Sequence, residues 1–349
     1  MLDLKKLLML TIDKKASDLH ITESSPPVLR IDGRLVHTDL AKLTKEDTKK
    51  LIYSMLSESQ KETFEKDLEL DLSLALPGLD RFRVNVHVQR GTVEAAFRRI
   101  PLLIPSIDEL QLPDIVLELA RKSNGLVLVT GPTGVGKTTT LAAMVNLINS
   151  EREDIIVCIE DPIEFLHYNK KCIVKQREVY SDTKSFSEAL RHALRQDPDV
   201  IVVGEMRDLE TISTALTAAE TGHLVLATLH TPDAPQTVQR IIDVFPPHQQ
   251  LQIRLQLSDC LQGVVSQLLL PCASGEGRIL STEIMIGTTG IKNLIREQEV
   301  EQIPTLIQTG GQYGMRTMDK SLKELYTKGI ITHETAISKA KNVQEFRNL

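Results

Sequence analysis

Apolar residues follow two different rhythms along this chain, and the change comes near residue 117. Beyond it, Leu126-Val-Leu-Val-Thr130, Ile155-Ile-Val-Cys-Ile159, Val200-Ile-Val-Val203 and Leu224-Val-Leu-Ala-Thr228 are short, continuous apolar runs. Runs without polar alternation suit strands buried on both faces of a parallel sheet. Helical segments lie between several of them, so the pattern predicts βαβ units. From about residue 288 to 349 the spacing is helical.

Earlier in the chain the rhythm is that of a small α+β unit. Arg81-Phe-Arg-Val-Asn-Val-His-Val88 alternates apolar and polar with period two, as a half-buried strand does. Val93–Ile100 reads as its partner after a turn at Gly91. Asp32-Gly33 lies between two short apolar runs in Val28–Val36, a strong hairpin signal. Lys45–Glu65 has helical spacing through Leu51, Ile52, Met55 and Leu56. At the start, Leu4, Leu7, Leu8 and Ile12 share one helical face. Asp3, the short apolar run and the missing cleavage site argue against a signal peptide. An amphipathic helix packing on its own domain is expected there, with an interfacial membrane anchor as the alternative. Pro101, Pro105 and Pro113 punctuate a stretch where only Ser106-x-x-Glu109 offers a capped turn. The expected organisation is therefore an N-terminal domain at 1–100, a linker at 101–116 and a second domain at 117–349.

Composition narrows the function classes. The 349 residues carry 47 Asp+Glu against 41 Lys+Arg, a net charge of −6, which argues against a surface built for nucleic acid. Seven Phe, five Tyr and no Trp are few for a protein that stacks single-stranded bases. Cys158, Cys172, Cys260 and Cys272 lie far apart with no C-x-x-C pair, so neither a structural zinc site nor a disulfide framework is expected. A reduced, cytoplasmic compartment fits them. No run approaches the 18 apolar residues of a membrane span.

The chemistry begins at Gly131-Pro-Thr-Gly-Val-Gly-Lys-Thr138, which matches G-x-x-x-x-G-K-[ST]. A strand runs into it and a helix continues from it. Such a loop turns successive backbone N–H groups inward at a helix N-terminus and so binds anions. Gly131, Pro132, Thr133, Gly134, Val135, Gly136, Lys137, Thr138 and Thr139 are the candidate nucleotide-binding residues. Lys137 would reach the β- and γ-phosphates of ATP, and the Thr138 hydroxyl would ligate Mg2+. Two acidic segments follow predicted strands: Glu160-Asp-Pro-Ile-Glu164, and Gly204-Glu-Met-Arg-Asp208. Ligands bind at the carboxyl edge of a parallel sheet, which is where both would lie. The third strand ends in Gly204 and Glu205 rather than Asp, so Glu205 is the candidate catalytic carboxylate, ahead of Glu164. Mg2+ would then rely on Thr138, phosphate oxygens, water and, through water, Glu160 or Glu164. His223 and His230 bracket the fourth strand and are candidate sensors of the γ-phosphate. No cysteine or third histidine joins them at the spacing of a zinc site.

Taken in order and spacing, GPTGVGKT, IEDPIEF, DPDVIVVGEMRD and TGHLVLATLHT resemble the secretion ATPase superfamily of type II secretion, type IV pilus and conjugation motors. Ala16-Ser-Asp-Leu-His-Ile21 and Arg240-Ile-Ile-Asp-Val-Phe-Pro246 are most similar to its PilT-like retraction ATPases. Extension and type II secretion ATPases are longer and usually carry a four-cysteine zinc site. The resemblance implies an α/β fold: a RecA-like P-loop domain with a mostly parallel sheet, a smaller α+β, PAS-like domain before it, and C-terminal helices after it. It also implies catalytic roles for Lys137, Glu164, Glu205, His223 and His230. Arginines from the small domain reach nucleotide in this family, and the matching positions are Arg83 and Arg98, with Arg81 a weaker match. Without the resemblance, Arg81 and Arg83 read as the solvated face of an alternating strand. Gly290-Ile-Lys-Asn-Leu-Ile-Arg-Glu297 departs from the family's Ala-Ile-Arg pattern at Gly290 and Lys292. Glycine lowers helix propensity, and lysine lacks the planar fork of arginine.

The expected function is an ATP-hydrolysing homohexameric motor that powers pilus retraction and twitching motility. It would work at the cytoplasmic face of the inner membrane, against a pilus platform protein and beside other pilus motor ATPases. Membrane association would come only through partners, and no nucleic acid is expected. The rivals are an extension or type II secretion ATPase, a RecA-like nucleic-acid translocase whose channel is lined by Lys170, Lys171, Lys175 and Arg177, and a regulatory subunit that binds nucleotide without hydrolysing it, against which the intact Lys137, Thr138, Glu164 and Glu205 argue.

Overall fold

Two turn dipeptides organise the first of the two units into which the chain divides, Met1–Leu103 and Ile104–Leu349. A computed structural model describes residues 3–75, 80–100 and 103–346. Met1, Pro101 and the end of the C-terminal segment at 347–349 thus lie outside the described residues. Strands β1 (Asp18–Ile21), β2 (Val28–Ile31), β3 (Arg34–His37), β4 (Glu69–Ala75), β5 (Arg81–Gln89) and β6 (Thr92–Ile100) form an antiparallel sheet in the order β3-β2-β1-β6-β5-β4. Asp32-Gly33 joins β2 to β3 with φ of 47° and 83°, and Arg90-Gly91 joins β5 to β6 with 49° and 77°. Two positive φ values in a two-residue loop match the right-handed twist of a hairpin.

Alternation then decides which face is covered. On β5, Phe82, Val84 and Val86 are fully buried while Arg83 between them is exposed. Helices Leu4–Asp13, Lys45–Tyr53 and Glu58–Asp67 close the covered face over a core that includes Leu7, Leu8, Leu19, Ile52, Phe64 and Phe97. The N-terminal helix therefore buries its leucine stripe against its own unit. The single helix expected over 45–65 is two. Ser57 and Gln60 form a second capping box after that of Thr44 and Asp47, and each starts its own helix.

The second unit is built on a seven-stranded sheet of β7 (Gly125–Thr130), β8 (Ile155–Glu160), β9 (Ile173–Glu178), β10 (Val200–Val203), β11 (Leu224–Leu229), β12 (Leu261–Pro271) and β13 (Arg278–Ile286). Their order is β13-β12-β7-β11-β10-β8-β9, and all pairs are parallel except the β12–β13 hairpin. The apolar runs are explained by two-sided burial. Leu126 and Leu128 of β7 face one core and Val127 and Val129 the other. Helix Lys137–Glu151 packs on the second of these, while Leu209–Glu220, Ala234–Asp243 and Pro247–Cys260 pack on the first. Ile107 and Leu112 are buried in this unit too, so residues 104–116 are part of it rather than a free tether. Ser106 and Glu109 cap each other's backbone N–H groups there. Near the C-terminus, helices Met318–Thr327 and His333–Lys339 gather around Leu322 and Phe346 against the ends of β12 and β13.

The start of β12 comes so close to the end of β13 that a Cβ on Gly287 would lie 2.0 Å from the Leu261 carbonyl oxygen. A side chain there must push backbone apart. Gly287→Ala is expected to lower stability by about 1–3 kcal/mol in urea unfolding. Gly311→Ala, where a Cβ meets nothing within 4 Å, should change it little. Equal midpoints for the two variants would refute this account of the crossing.

Candidate active site

Parallel strands place all their carboxyl ends on one edge, and four loops leave that edge here. β7 runs into residues 131–138, β8 into 160–164, β10 into 204–208 and β11 into 230–233. A cavity of about 500 Å³ opens among them. Gly131 begins the first loop at φ 136°, and a Cβ on it would meet the Gln267 carbonyl at 2.5 Å, so only glycine fits. Gly136 ends it at φ 89° and serves as N-cap of helix Lys137–Glu151. Thr133, Gly134, Gly136, Lys137, Thr138 and Thr139 line the cavity. Gly131 and Val135 are buried behind the loop, and Pro132 is exposed on it.

Lys137 is buried, and its ammonium donates to the carbonyls of Gly131 at 2.8 Å and Pro132 at 3.0 Å. Burial lowers its pKa, against the opposing pull of Glu205 and Glu164. Nζ also lies 3.3 Å from Nδ1 of His230, whose Nε2 is 2.9 Å from Glu205 Oε1. One tautomer satisfies both contacts, with Nδ1 accepting from Lys137 and Nε2–H donating to Glu205. Arg207 holds the same carboxylate, donating from Nη2 to Oε2 at 2.7 Å with its Nε 2.6 Å from Oε1 in the ion pair. Burial raises the Glu205 pKa, but the hydrogen bonds from Arg207 and His230 outweigh it and leave the group below its ordinary value. Glu205 is thus an anion held by Arg207 and His230.

Glu160 is the opposite case. It is almost wholly buried at the end of β8, and its pKa is pushed up to about 7. Burial is the main cause and the hydrogen bond from Gln176 opposes it, while the charge of Glu164 adds to the rise. Glu164 and Asp161 are exposed at the cavity wall.

Sequence-based expectation and geometry part company at His223. It sits at the amino end of β11, where Nδ1 bonds the Ala218 carbonyl at 2.9 Å and its own carbonyl accepts from Gly125. The six residues of β11 separate it from His230 by roughly 20 Å. Within this chain His223 therefore does not share the cavity, because bracketing a strand puts two residues on opposite edges of the sheet. Arg83 and Arg98 belong to the first unit, directly opposite each other on β5 and β6. Arg98 pairs with Asp18 at 3.0 Å.

Two cationic residues of the cavity were not among the expected site residues. Arg207 stands in the same segment as Glu205, and its position there was the signal. Arg278 comes from β13 and had none. In the basic stretch after β8, Lys170 and Lys171 are exposed. Lys170 donates to Asn146 and Ser150, Lys175 to the Gln196 carbonyl and Arg177 to the Asp182 carbonyl. Among the described residues no cluster of His, Cys, Asp and Glu could hold a metal alone, and no helix is long and apolar enough to cross a membrane.

Residues 2–345 match the family described as type II/IV secretion system protein. The chain is 49% identical to the type IV pilus retractation ATPase PilT of Pseudomonas aeruginosa, over 99% of this chain and 100% of that one. The chain belongs to this family, among its PilT-like retraction ATPases. A twitching motility protein of Neisseria gonorrhoeae is 47% identical, over 90% of this chain and 84% of its own length. A crystal structure of the pilus retraction motor PilT with bound ADP superimposes with a TM-score of 0.92 at 49% identity, covering 100% of both chains. The α/β architecture, with its parallel sheet and C-terminal helices, is that of this family.

The split between Glu160 and Glu205 gives a pH test. Folded protein keeps the Glu160 proton to about pH 7, whereas the unfolded chain releases it near 4.5. Unfolding free energy is therefore unaffected by this group below about 4.5 and falls as pH rises toward 7. Glu160→Gln removes the dependence. Its stability relative to the unaltered protein should rise by up to about 3 kcal/mol between those pH values in urea titrations. A flat difference would overturn the assignment.

Proposed function

We propose that this protein is an ATP-hydrolysing motor that drives type IV pilus retraction, acting as a homohexamer at the cytoplasmic face of the inner membrane. The observation that carries the reading is the hydrogen-bonded line from Lys137 through His230 to Glu205 at the mouth of the phosphate loop. It couples the residue that meets phosphate to the residue that handles water.

The backbone amides of residues 131–138 and the helix start behind them receive the triphosphate, and Lys137 turns its ammonium to the β- and γ-phosphates. Hard oxygen donors at the cavity (the Thr138 hydroxyl with Glu160, Asp161 and Glu164 nearby) fit a magnesium ion. Thr138 would hold Mg2+, with Glu160 or Glu164 reaching it through water, and the ion supplies charge neutralisation at the phosphate oxygens. Glu205 orients the attacking water and accepts its proton while the bond from γ-phosphorus to the ADP oxygen breaks. Glu164 helps to order that water. His230 reports the γ-phosphate to Glu205. Arg83 and Arg98 neutralise charge on the transferring phosphoryl group, a contribution that reaches 10³-fold or more in related chemistry. Force is passed to an inner-membrane platform protein, beside other pilus motor ATPases, and membrane contact comes through those partners. Nucleic acid is not a substrate. The 49% identity to a pilus retraction ATPase over its full length supports retraction over extension.

Lys137→Ala and Glu205→Ala should each lower steady-state phosphate release at least about 100-fold. His230→Ala should lower it substantially and His223→Ala only slightly. Hydrolysis at the unaltered rate in Lys137→Ala or Glu205→Ala would sink the enzyme assignment. Cells lacking the protein should keep surface pili and lose twitching motility; bald cells would sink the retraction reading.

A further inference from the structure

The Asp-Leu-His of Ala16–Ile21 leads off the first unit's sheet, and the activity derived above makes no use of it. Register places Arg30, Asp18, Arg98 and Arg83 side by side across four strands, on the face away from the helices. Two guanidinium groups, those of Arg98 and Arg30, thus share one carboxylate, and Arg83 lies on the far side of Arg98. Like charges opposite each other on adjacent strands repel, so Arg98 and Arg83 make a face suited to an anion. Asp18 is held in register on both sides, by Ser17 N–H to the Arg30 carbonyl and by Arg99 N–H to the Ser17 carbonyl. Its carboxylate accepts from Ser17 Oγ at 2.8 Å and from Arg98 Nε at 3.0 Å. Arg30 Nε stands further off at 3.8 Å.

The asymmetry of the pair is informative. Asp18 is buried, yet the Arg98 side chain is 69% exposed. An ion pair so open to water contributes little to stability. What the contact does is fix the guanidinium plane by its Nε edge and leave the two Nη groups to make paired bonds to an anion. The Arg83 side chain has no hydrogen bond among the described residues, so of these two arginines only Arg98 is aimed.

We propose that Asp18 is a positioning residue that orients Arg98 toward the phosphates of the bound nucleotide. This rests on the reading of Arg98 as a phosphate-contacting arginine. Asp18 touches no reacting atom; it removes the rotamer freedom that Arg98 would otherwise lose on reaching the phosphoryl group.

Full-length protein would be assayed for ATP hydrolysis as Asp18→Ala, Asp18→Asn, Asp18→Glu, Arg98→Ala and the Asp18→Ala/Arg98→Ala double variant, with thermal unfolding of each. Asp18→Ala and Asp18→Asn are expected to lower kcat roughly tenfold with KM for ATP nearly unchanged. Asp18→Glu should recover part of the loss, and unfolding midpoints should stay close to that of the unaltered protein. In the Arg98→Ala background, Asp18→Ala should cost nothing further. Unaltered kcat in Asp18→Ala, or a full additional loss in the double variant, overturns the positioning role and leaves Arg98 in place. Unaltered kcat in Arg98→Ala removes Arg98 from the machinery, and this role with it. If Asp18→Ala unfolds early, Asp18→Asn, which keeps the side chain's shape, decides the matter by the same comparison.

Discussion

The parallel pairing of β7, β11, β10 and β8 is the constraint on which the active site depends. Its register sets Leu229 beside Thr130 and Val203 beside both Ala227 and Ile159, so the four following loops leave the sheet at nearly the same height. A one-residue slip in any pair would turn every buried side chain of that strand to the wrong core. The contact between Lys137 and His230, residues 93 apart in sequence, is a direct product of that register. The same constraint removes His223, which is fixed to the other edge by the strand that brings His230 in.

The cavity collects four carboxylates, those of Glu160, Asp161, Glu164 and Glu205, around a loop meant for an anion. Two of them are dealt with by opposite physics. Burial lifts the Glu160 pKa to about 7, so that it is only partly ionised near neutral pH, while Arg207 and His230 hold Glu205 charged. A carboxylate that has to attract a proton from water is useful only when ionised. The difference follows from position. Glu160 is the last residue of an inner strand, and Glu205 is two residues past one.

Much of this was legible in the chain before any coordinates. Continuous apolar runs disclosed β7, β8, β10 and β11, because two-sided burial leaves no polar position in them. Asp32-Gly33 and the turn at Gly91 disclosed two hairpins, because few residues tolerate left-handed backbone. The edge strand β9 stayed hidden, since Lys175, Gln176 and Arg177 blur its pattern. The break at Ser54–Ser57 stayed hidden because apolar spacing continues across it, and the deciding signal was a cap rather than a period. Loop motifs disclosed Lys137 and Glu205, whose chemistry is local. Arg278 and the Asp18–Arg98 pair depend on which strands become neighbours, and that is a long-range property. His223 misled because adjacency in sequence to a strand says nothing about which end of it faces the ligand.

Strand β9 also bears on what many copies of this chain can do when crowded together. It closes one side of the sheet with an unpaired backbone edge, the kind of surface on which another strand can grow. Along that edge Lys175 and Arg177 spend their charges on the Gln196 and Asp182 carbonyls, and Glu178 shares its backbone N–H with Asp182. An incoming strand would have to strip water from these groups and break local bonds before gaining its own. Strand addition at this edge is thereby made less favourable.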